Sequence, residues 1–425
     1  MKVGIGILGG GVVGGSLARK LLEEHEAIAT KSGIDFELVK VAARNQDKPR
    51  NFPAEFLTTD PDEVVDDPSV HLVVELMGGL EPARRLILRA LDAGKPVVTA
   101  NKELVAADGP ELIARAEAKG VSLLFEAAVG GGIPIIRPLS ESLAGERISR
   151  VMGIVNGTTN FILSAMSAEG CDYQTALAEA QAKGYAEADP TADVSGADAA
   201  SKAAILASLA FGVWIARDSV HTEGIEAITD KDIQHAAQLG YAIKLLAVAE
   251  AVGDGVGARV HPALVPFDHP LAAVRGAHNA IYIEGPAIDR LLFSGPGAGG
   301  EPTATAVLGD VIDAARELLG GVQVAPRIRF GPGQVADFLG VATKWFIRLE
   351  VADAPGVLAQ IATVFGHHQV SIMSVWQEGR GEDATLILVT HDAPESNHRA
   401  AVAALADLSV VRQVASTIRV QSDRP

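Results

Sequence analysis

Four carboxylates and a lysine (Glu187, Asp189, Asp193, Asp198 and Lys202) crowd the stretch GYAEADPTADVSGADAASK at 184–202, and the run after it, AAILASLAFGVWI at 203–215, carries no charge. Asp198 and Lys202 are spaced i,i+4, and Ser195 with Asp198 makes an S-x-x-D capping pattern, so the plainest account is a capped helix with a surface ion pair. The apolar run argues for more, because it predicts a helix buried nearly all round. Charges at the mouth of such a helix are costly unless paired, and a cleft facing a polar ligand accounts for them. A second lysine, Lys102 in TANKELVA at 99–106, follows an apolar strand. That is the carboxyl edge of a sheet, where ligands bind in open α/β folds. Carboxylates can hold an α-ammonium, and a lysine or backbone amides can hold an α-carboxylate. A lysine at a carbonyl can stabilise and protonate the alkoxide left by hydride addition, more readily where burial lowers its pKa. The inventory fits reduction of a small zwitterionic aldehyde.

The elements that must position these groups are legible in the first third of the chain. Apolar strands at 2–8, 36–43, 71–77, 95–100 and 121–127 alternate with helical patterns such as 81–94 and 103–120. This is the pattern of βαβ units in a mainly parallel, doubly wound sheet. Gly9, Gly11 and Gly14 satisfy G-x-G-x-x-G directly after the first strand. There the glycines permit a tight turn, close approach of a pyrophosphate and close helix–strand packing. A glycine turn without a ligand is the competing reading. The second strand runs into Arg44 and Asn45, with Lys48 and Arg50 behind and no acid at its tip. An arginine there accommodates a 2′-phosphate and favours NADPH, against the alternative of a solvated basic loop.

Beyond this region, 130–320 is less regular, 321–344 reads as a connector, and the last eighty residues restart in the order β-α-β-β-α-β, a ferredoxin-like unit. The 425 residues suffice for about two to four domains. A net charge of −17 argues against a nucleic-acid partner. Cys171 is the single cysteine, which excludes an internal disulfide and fits a reducing cytoplasm. The uncharged run at 3–18 is rich in glycine and too short to span a bilayer, so a soluble chain away from the membrane is expected.

At these residues the chain resembles the monofunctional homoserine dehydrogenases. The resemblance is carried by the glycine motif together with ELMGG at 75–79, TANK at 99–102, FEAAVGGGIPII at 125–136 and GIVNGTTNFIL at 153–163. The acidic stretch at 184–202 and GPGAGGEPTA at 295–304 complete it. It implies NAD(P)H-dependent reduction of L-aspartate 4-semialdehyde to L-homoserine, with Lys102 and Lys202 as active-site lysines and Asp198 as the acidic partner one helical turn before Lys202. Glu187, Asp193, Tyr185, Asn156, Gly157 and Thr158 match substrate-pocket positions, while Asp189 matches none and can start the Asp-Pro turn. The coenzyme would lie along Gly9, Gly11, Val12, Val13 and Gly14, near Arg44 and Lys48, and along Gly78, Thr99, Ala100, Asn101 and Lys102. The backbone carbonyls of Glu126, Val129, Gly131 and Ile133 would hold an alkali cation, Na⁺ or K⁺. Carbonyl ligands leave no side-chain signature, so only the resemblance points to that site.

The resemblance also implies three domains: a Rossmann-type NAD(P)-binding domain at 1–129, an α+β catalytic and dimerisation domain at 130–320, and, after a linker at 321–344, an ACT domain at 345–425. DAPGVLAQI with VSIMSV carries the likeness to ACT domains, and Asp353, Pro355 and Gly356 match its ligand loop. L-Threonine is the effector implied, and a homodimer or homotetramer the assembly, with pairing without a ligand as the alternative role of the unit. Two rival readings remain at this level. One is another NADP-dependent oxidoreductase of the aspartate pathway, although the aldehyde dehydrogenase of that pathway needs a thiol that the isolated Cys171 does not supply. The other is a non-catalytic NADP-binding amino-acid sensor, for which the lysines would be superfluous.

Overall fold

The computed structural model describes residues 2–321, 328–379 and 384–421; residues 322–327 of the expected connector, Asp383 and the tail from 422 lie outside them. Contacts divide the chain into two compact units. The first gathers Met1–Val151, Ser201–Arg217 and Asn279–Pro332, the second Met152–Ala200, Asp218–His278 and Gly333–Pro425.

The first unit is built on six parallel strands: β1 Lys2–Leu8, β2 Asp35–Ala42, β3 Leu57–Thr58, β4 Leu72–Glu75, β5 Val97–Thr99 and β6 Leu123–Leu124. Their order is β3-β2-β1-β4-β5-β6, the dinucleotide-binding arrangement. Helices α1 Val12–Glu23, α2 His25–Ser32, α3 Asp62–Asp66, α4 Ala83–Asp92 and α5 Lys102–Lys119 make the connections. All four residues of β4 are buried. Parallel strands of this kind are covered on both faces, hence their near-continuous apolar sequence. Part of the cover comes from far along the chain. Ala304, Val307 and Val311 of helix Gly300–Gly320 share one core with Ile5, Leu72 and Val98. The strand expected over 121–127 is cut to two residues. From Glu126 the backbone turns away, because the Glu126 N–H donates to Asp310 Oδ2 (2.8 Å) and its carboxylate is taken by a later turn.

In the second unit, strands Tyr241–Val252 and Gly255–Pro266 form an antiparallel hairpin. The terminal strand Val411–Val420 runs parallel to its second arm, pairing Ala263 with Arg419 and Leu264 with Val420. Strands Ala342–Val351, Thr385–Thr390 and Ile372–Glu378 follow in that order across the sheet. With helices Val357–His367 and Glu395–Ala406 they give the expected β-α-β-β-α-β unit, packed on Ile347, Leu349, Ile361, Phe365, Leu388 and Leu405. The C-terminal sheet is therefore continuous with the hairpin.

A buried ion pair crosses this seam. Arg348 Nε lies 2.9 Å from Asp232 Oδ1, and the two side chains are 4% and 0% exposed. Asp232 also closes the capping box of helix Asp230–Gln238 with Thr229. Removing one partner of such a pair costs about 3–5 kcal/mol, since the other charge stays buried. Asp232→Ala is expected to lower stability by about that amount and Asp232→Asn by clearly less; equilibrium denaturant unfolding of the two variants checks the difference.

Candidate active site

The glycine turn after β1 is set by close backbone approach. Gly9 has φ +113°, and a Cβ at Gly14 would lie 1.9 Å from the Gly9 carbonyl oxygen. The N–H groups of Gly9 and Gly10 donate to Ala42 O at 3.0 and 2.9 Å, which pins the turn to the end of β2. Gly11 faces open space and Val12 is exposed, so the start of α1 is accessible. No acidic side chain occupies the first turn of α1. An anion at that end would meet unsatisfied N–H groups and the positive end of the helix dipole. A cleft runs from here past Arg44, Lys48, Arg50 and Met77. Arg44 and Lys48 are exposed on the loop after β2. Arg50, outside the expected coenzyme set, holds that loop to the turn, its Nε donating to Gly10 O (3.2 Å) and its Nη1 to Lys48 O (2.8 Å). These features fit a nicotinamide dinucleotide.

The carboxyl ends of β4 and β5 are joined by a residue the sequence reading passed over. Glu75, fully buried, accepts hydrogen bonds from Thr99 Oγ1 (2.7 Å) and from the N–H groups of Met77 (2.7 Å) and Gly78 (3.2 Å). Burial raises its pKa, and these bonds act in the opposite direction. Asn101 N–H donates in turn to Thr99 Oγ1 (3.0 Å), Asn101 Nδ2 to Gly79 O (2.7 Å), and Asn101 Oδ1 caps α5 by accepting from Leu104 N–H (3.1 Å). Lys102, the first residue of α5, is thus set on a rigid corner. The signal was a lone acid in an otherwise apolar strand, VVELM.

After β6, Glu126, Val129, Gly131 and Ile133 are all buried. The Glu126 carboxylate gathers the N–H groups of Ile135 (2.6 Å), Ile136 (2.8 Å) and Arg137 (2.9 Å), so this side chain staples the loop. Asp310 underpins it and also meets Arg137 Nη2 (3.0 Å); burial pushes the Asp310 carboxyl up to about 7. Among the described residues, the turn and loop hydrogen bonds of the backbone take none of the four carbonyls expected to ligate a cation. No group of three or more His, Cys, Asp and Glu able to hold a metal ion occurs among the described residues.

In the second unit, Asn156 brings Asp193 and Asp198 together. It caps helix Gly157–Glu169, its Oδ1 accepting from Thr159 N–H (2.9 Å). Its Nδ2 donates to Asp193 Oδ1 (2.7 Å) and to Asp198 Oδ2 (2.9 Å). Thr158 Oγ1 donates to Tyr185 O (2.7 Å), and the half-exposed Tyr185 ring lies 4.8 Å from that of Phe161. Gly157 meets the 277 peptide so closely that a Cβ would lie 2.7 Å from Ala277 O. Glu187 stands apart from the carboxylate pair: it is exposed, and its carbonyl accepts from Gln181 Nε2 (3.1 Å). Asp189 orders the Asp-Pro turn by accepting from Thr191 N–H (3.1 Å) and Oγ1 (2.6 Å).

Helix Ala197–Phe211 starts just after Gly196, so Ser195 is not its cap; the Ser195 N–H closes the preceding turn on Thr191 O (3.0 Å). Positions 203–208 are buried without a break, as the apolar run predicts, but 209–214 are only half-buried and the helix ends at Phe211, short of the end of the run. Lys202, one turn beyond Asp198 on this helix, is half-buried.

No helix among the described residues is long and apolar enough to cross a membrane. Residues 9–126 match the family model of the homoserine dehydrogenase NAD-binding domain, 134–312 that of homoserine dehydrogenase, and 345–410 that of the ACT domain. The homoserine dehydrogenase of Corynebacterium glutamicum is 48% identical over 427 residues, 99% of this chain and 96% of that protein. The crystal structure of a homoserine dehydrogenase from Thiobacillus denitrificans superposes with a TM-score of 0.95 at 42% identity, over 99% of this chain and 98% of that one. A hyperthermophilic archaeal homoserine dehydrogenase, solved in complex with NADPH, covers 75% of this chain and 98% of its own, at 30% identity and a TM-score of 0.61. The cleft on a dinucleotide-binding sheet, the cornered lysine and the amide-bridged carboxylates therefore belong to a chain of the homoserine dehydrogenase family, an NAD(P)-dependent oxidoreductase acting on CH–OH groups with an ACT domain at its C-terminus.

Proposed function

We propose that this chain reduces L-aspartate 4-semialdehyde to L-homoserine with Lys102 and Lys202 as its proton-transfer groups and Asp193 and Asp198 as its substrate carboxylates. The observation that carries this reading is the single Asn156 amide donating to both acids. It occupies one acceptor position on each carboxylate and aligns the two for a cation, the substrate α-ammonium. Glu187 and Tyr185 border the same segment, and the N-terminus of helix Gly157–Glu169 offers N–H groups to an anion such as the α-carboxylate. Bound NADPH supplies the hydride. The chain's own task is the oxygen: as the carbonyl carbon takes the hydride, an ammonium in hydrogen-bond contact stabilises the nascent alkoxide and gives it a proton. In the same reading Asp198, four residues before Lys202 on one helix, is also the acidic partner of that lysine.

The coenzyme reading is NADPH over NADH, supported by Arg44 and Lys48 on the exposed loop after β2. The cation reading, Na⁺ or K⁺, is supported by the four buried carbonyls between 126 and 133. The C-terminal unit is read as a threonine-responsive module. In support, Asp353 to Gly356 form an exposed loop leading into helix Val357–His367, with Gly356 at φ +89°. A ligand there acts only if it binds one conformation better than another. Self-association into a dimer or tetramer is supported by Leu358, Met373 and Trp376, each more than 40% exposed. A reducing cytoplasm suits the single cysteine, Cys171.

Lys202→Ala is expected to lower kcat by roughly a hundredfold or more while leaving coenzyme affinity nearly unchanged, the scale of losing a positioned acid. Steady-state rates with both substrates varied check it, and near-normal turnover would defeat the assignment. Arg44→Ala should raise the KM for NADPH several-fold and leave that for NADH in place; equal damage to both would make Arg44 a support of the loop. Full-length enzyme assayed at matched ionic strength should respond to added K⁺ and to millimolar L-threonine, and its particle mass should be a multiple of one chain. Flat rates would remove the corresponding effector.

A further inference from the structure

The guanidinium of Arg419 lies almost fully buried on the terminal strand Val411–Val420, between two carboxylates. On one side it meets Glu395, itself fully buried, through Nε (3.2 Å) and Nη2. On the other it grips Glu223 with both ends of its fork, Nη1 to Oε2 at 2.6 Å and Nη2 to Oε1 at 2.8 Å. Phe338 and Trp345 face its plane at 5.1 and 5.3 Å. Burial works against the charge of Glu223, but hydrogen bonds from His221 and Arg419 hold its carboxyl well below the usual range.

Glu223 is not itself near the acids of the substrate pocket by sequence, yet its backbone lies against the turn that carries them. A Cβ at Gly224 would lie 2.2 Å from Val194 O and 2.7 Å from Ser195 Cα. Ile225 N–H donates to Val194 O (2.9 Å). From the other side, a Cβ at Gly196 would lie 3.2 Å from Glu223 O. Residues 194–196 lie in the chain between Asp193 and Asp198, so the segment 222–225 packs against the backbone that joins the two acids. Glu223 N–H also donates to Val260 O (2.8 Å), which leaves the side chain as the end of the segment not held by the hairpin.

We propose that Arg419, through Glu223, is a positioning residue for the substrate carboxylates Asp193 and Asp198, which makes the C-terminal strand part of the support of the substrate site. The proposal rests on the reading of Asp193 and Asp198 given above. Lysine cannot reproduce the bidentate fork. In the full-length enzyme, Arg419→Lys and Glu223→Gln are each expected to raise the KM for aspartate semialdehyde about tenfold and leave the KM for NADPH within about twofold. The double variant should raise the KM by clearly less than the product of the two single effects, because both substitutions break the Arg419–Glu223 contact. Hydrogen exchange at the amides of Ser195, Gly196 and Ile225 should quicken in both variants, more than in the strand Thr385–Thr390.

Asp193→Asn serves as the reference. If it raises the substrate KM while folded Arg419→Lys and Glu223→Gln leave that KM and the exchange rates unchanged, the positioning role is overturned and the pocket reading stands. If Asp193→Asn leaves the KM untouched, the pocket reading falls, and unchanged exchange at 195, 196 and 225 would overturn the coupling as well. Should Arg419→Lys fail to fold, Glu223→Gln, altered on the more exposed side of the pair, decides the matter.

Discussion

Two carboxylates held by one amide nitrogen repel each other, and that repulsion is the constraint around which the proposed substrate site is built. At separations of a few ångströms two unit charges interact by several kcal/mol unless solvent screens them. Asn156 offsets this with both of its N–H bonds. It can do so because its carbonyl oxygen is already committed to capping helix Gly157–Glu169 through Thr159. The same helix start lends its positive end to the pair. A capping residue, ordinarily a stability device, here sets the spacing of two acids, and the loop 222–225 beneath them keeps the 194–196 backbone in place.

The nucleotide half meets an analogous demand with a buried carboxylate. Glu75 has no cationic partner among its hydrogen bonds; it is satisfied by a hydroxyl and two backbone N–H groups. These bonds join ELMGG to TANK, so the turns that would flank the coenzyme and the lysine that opens α5 share one anchor. Glu126 does the same for the loop after β6 with three backbone N–H groups. Both acids substitute for secondary structure where the chain must leave the sheet and still be rigid, since buried backbone donors cannot go unpaired.

The C-terminal unit is joined to the rest of its half by more than apolar packing. Its terminal strand extends the hairpin sheet, and the buried guanidinium groups of Arg348 and Arg419 reach Asp232 and Glu223, acids on segments well outside the unit. Buried ion pairs of this type add little net stability over apolar packing but are intolerant of misregister. A displacement of a module attached in this way would reach the segments it grips, whereas one tethered by a flexible linker would leave them unmoved. That is a physical basis for regulation by an ACT domain, whatever ligand it takes.

Local signals decided much of this protein. The alternation of apolar strands and helices, the glycine turn after β1 and the β-α-β-β-α-β order of the last eighty residues are all short-range patterns, and each reappears in the fold. The acidic stretch and both lysines were legible because charge beside an apolar helix needs a reason, and GIVNGTTN was legible as part of a family resemblance. Tertiary structure alone decided which groups act as partners. Asn156 and Asp198 are 42 residues apart, and Glu223 and Arg419 are 196 apart. It was also tertiary structure that sent helix Gly300–Gly320 back to the first sheet, shortened β6 to two residues and made Glu75 and Glu126 anchors. Periodicity records which face of an element is buried; it carries no information on what that face is buried against. Hydrogen bonds to backbone N–H groups, which hold the loops around Glu75 and Glu126, can be made by any suitably placed acid, so the sequence records the acid and only the fold records its donors.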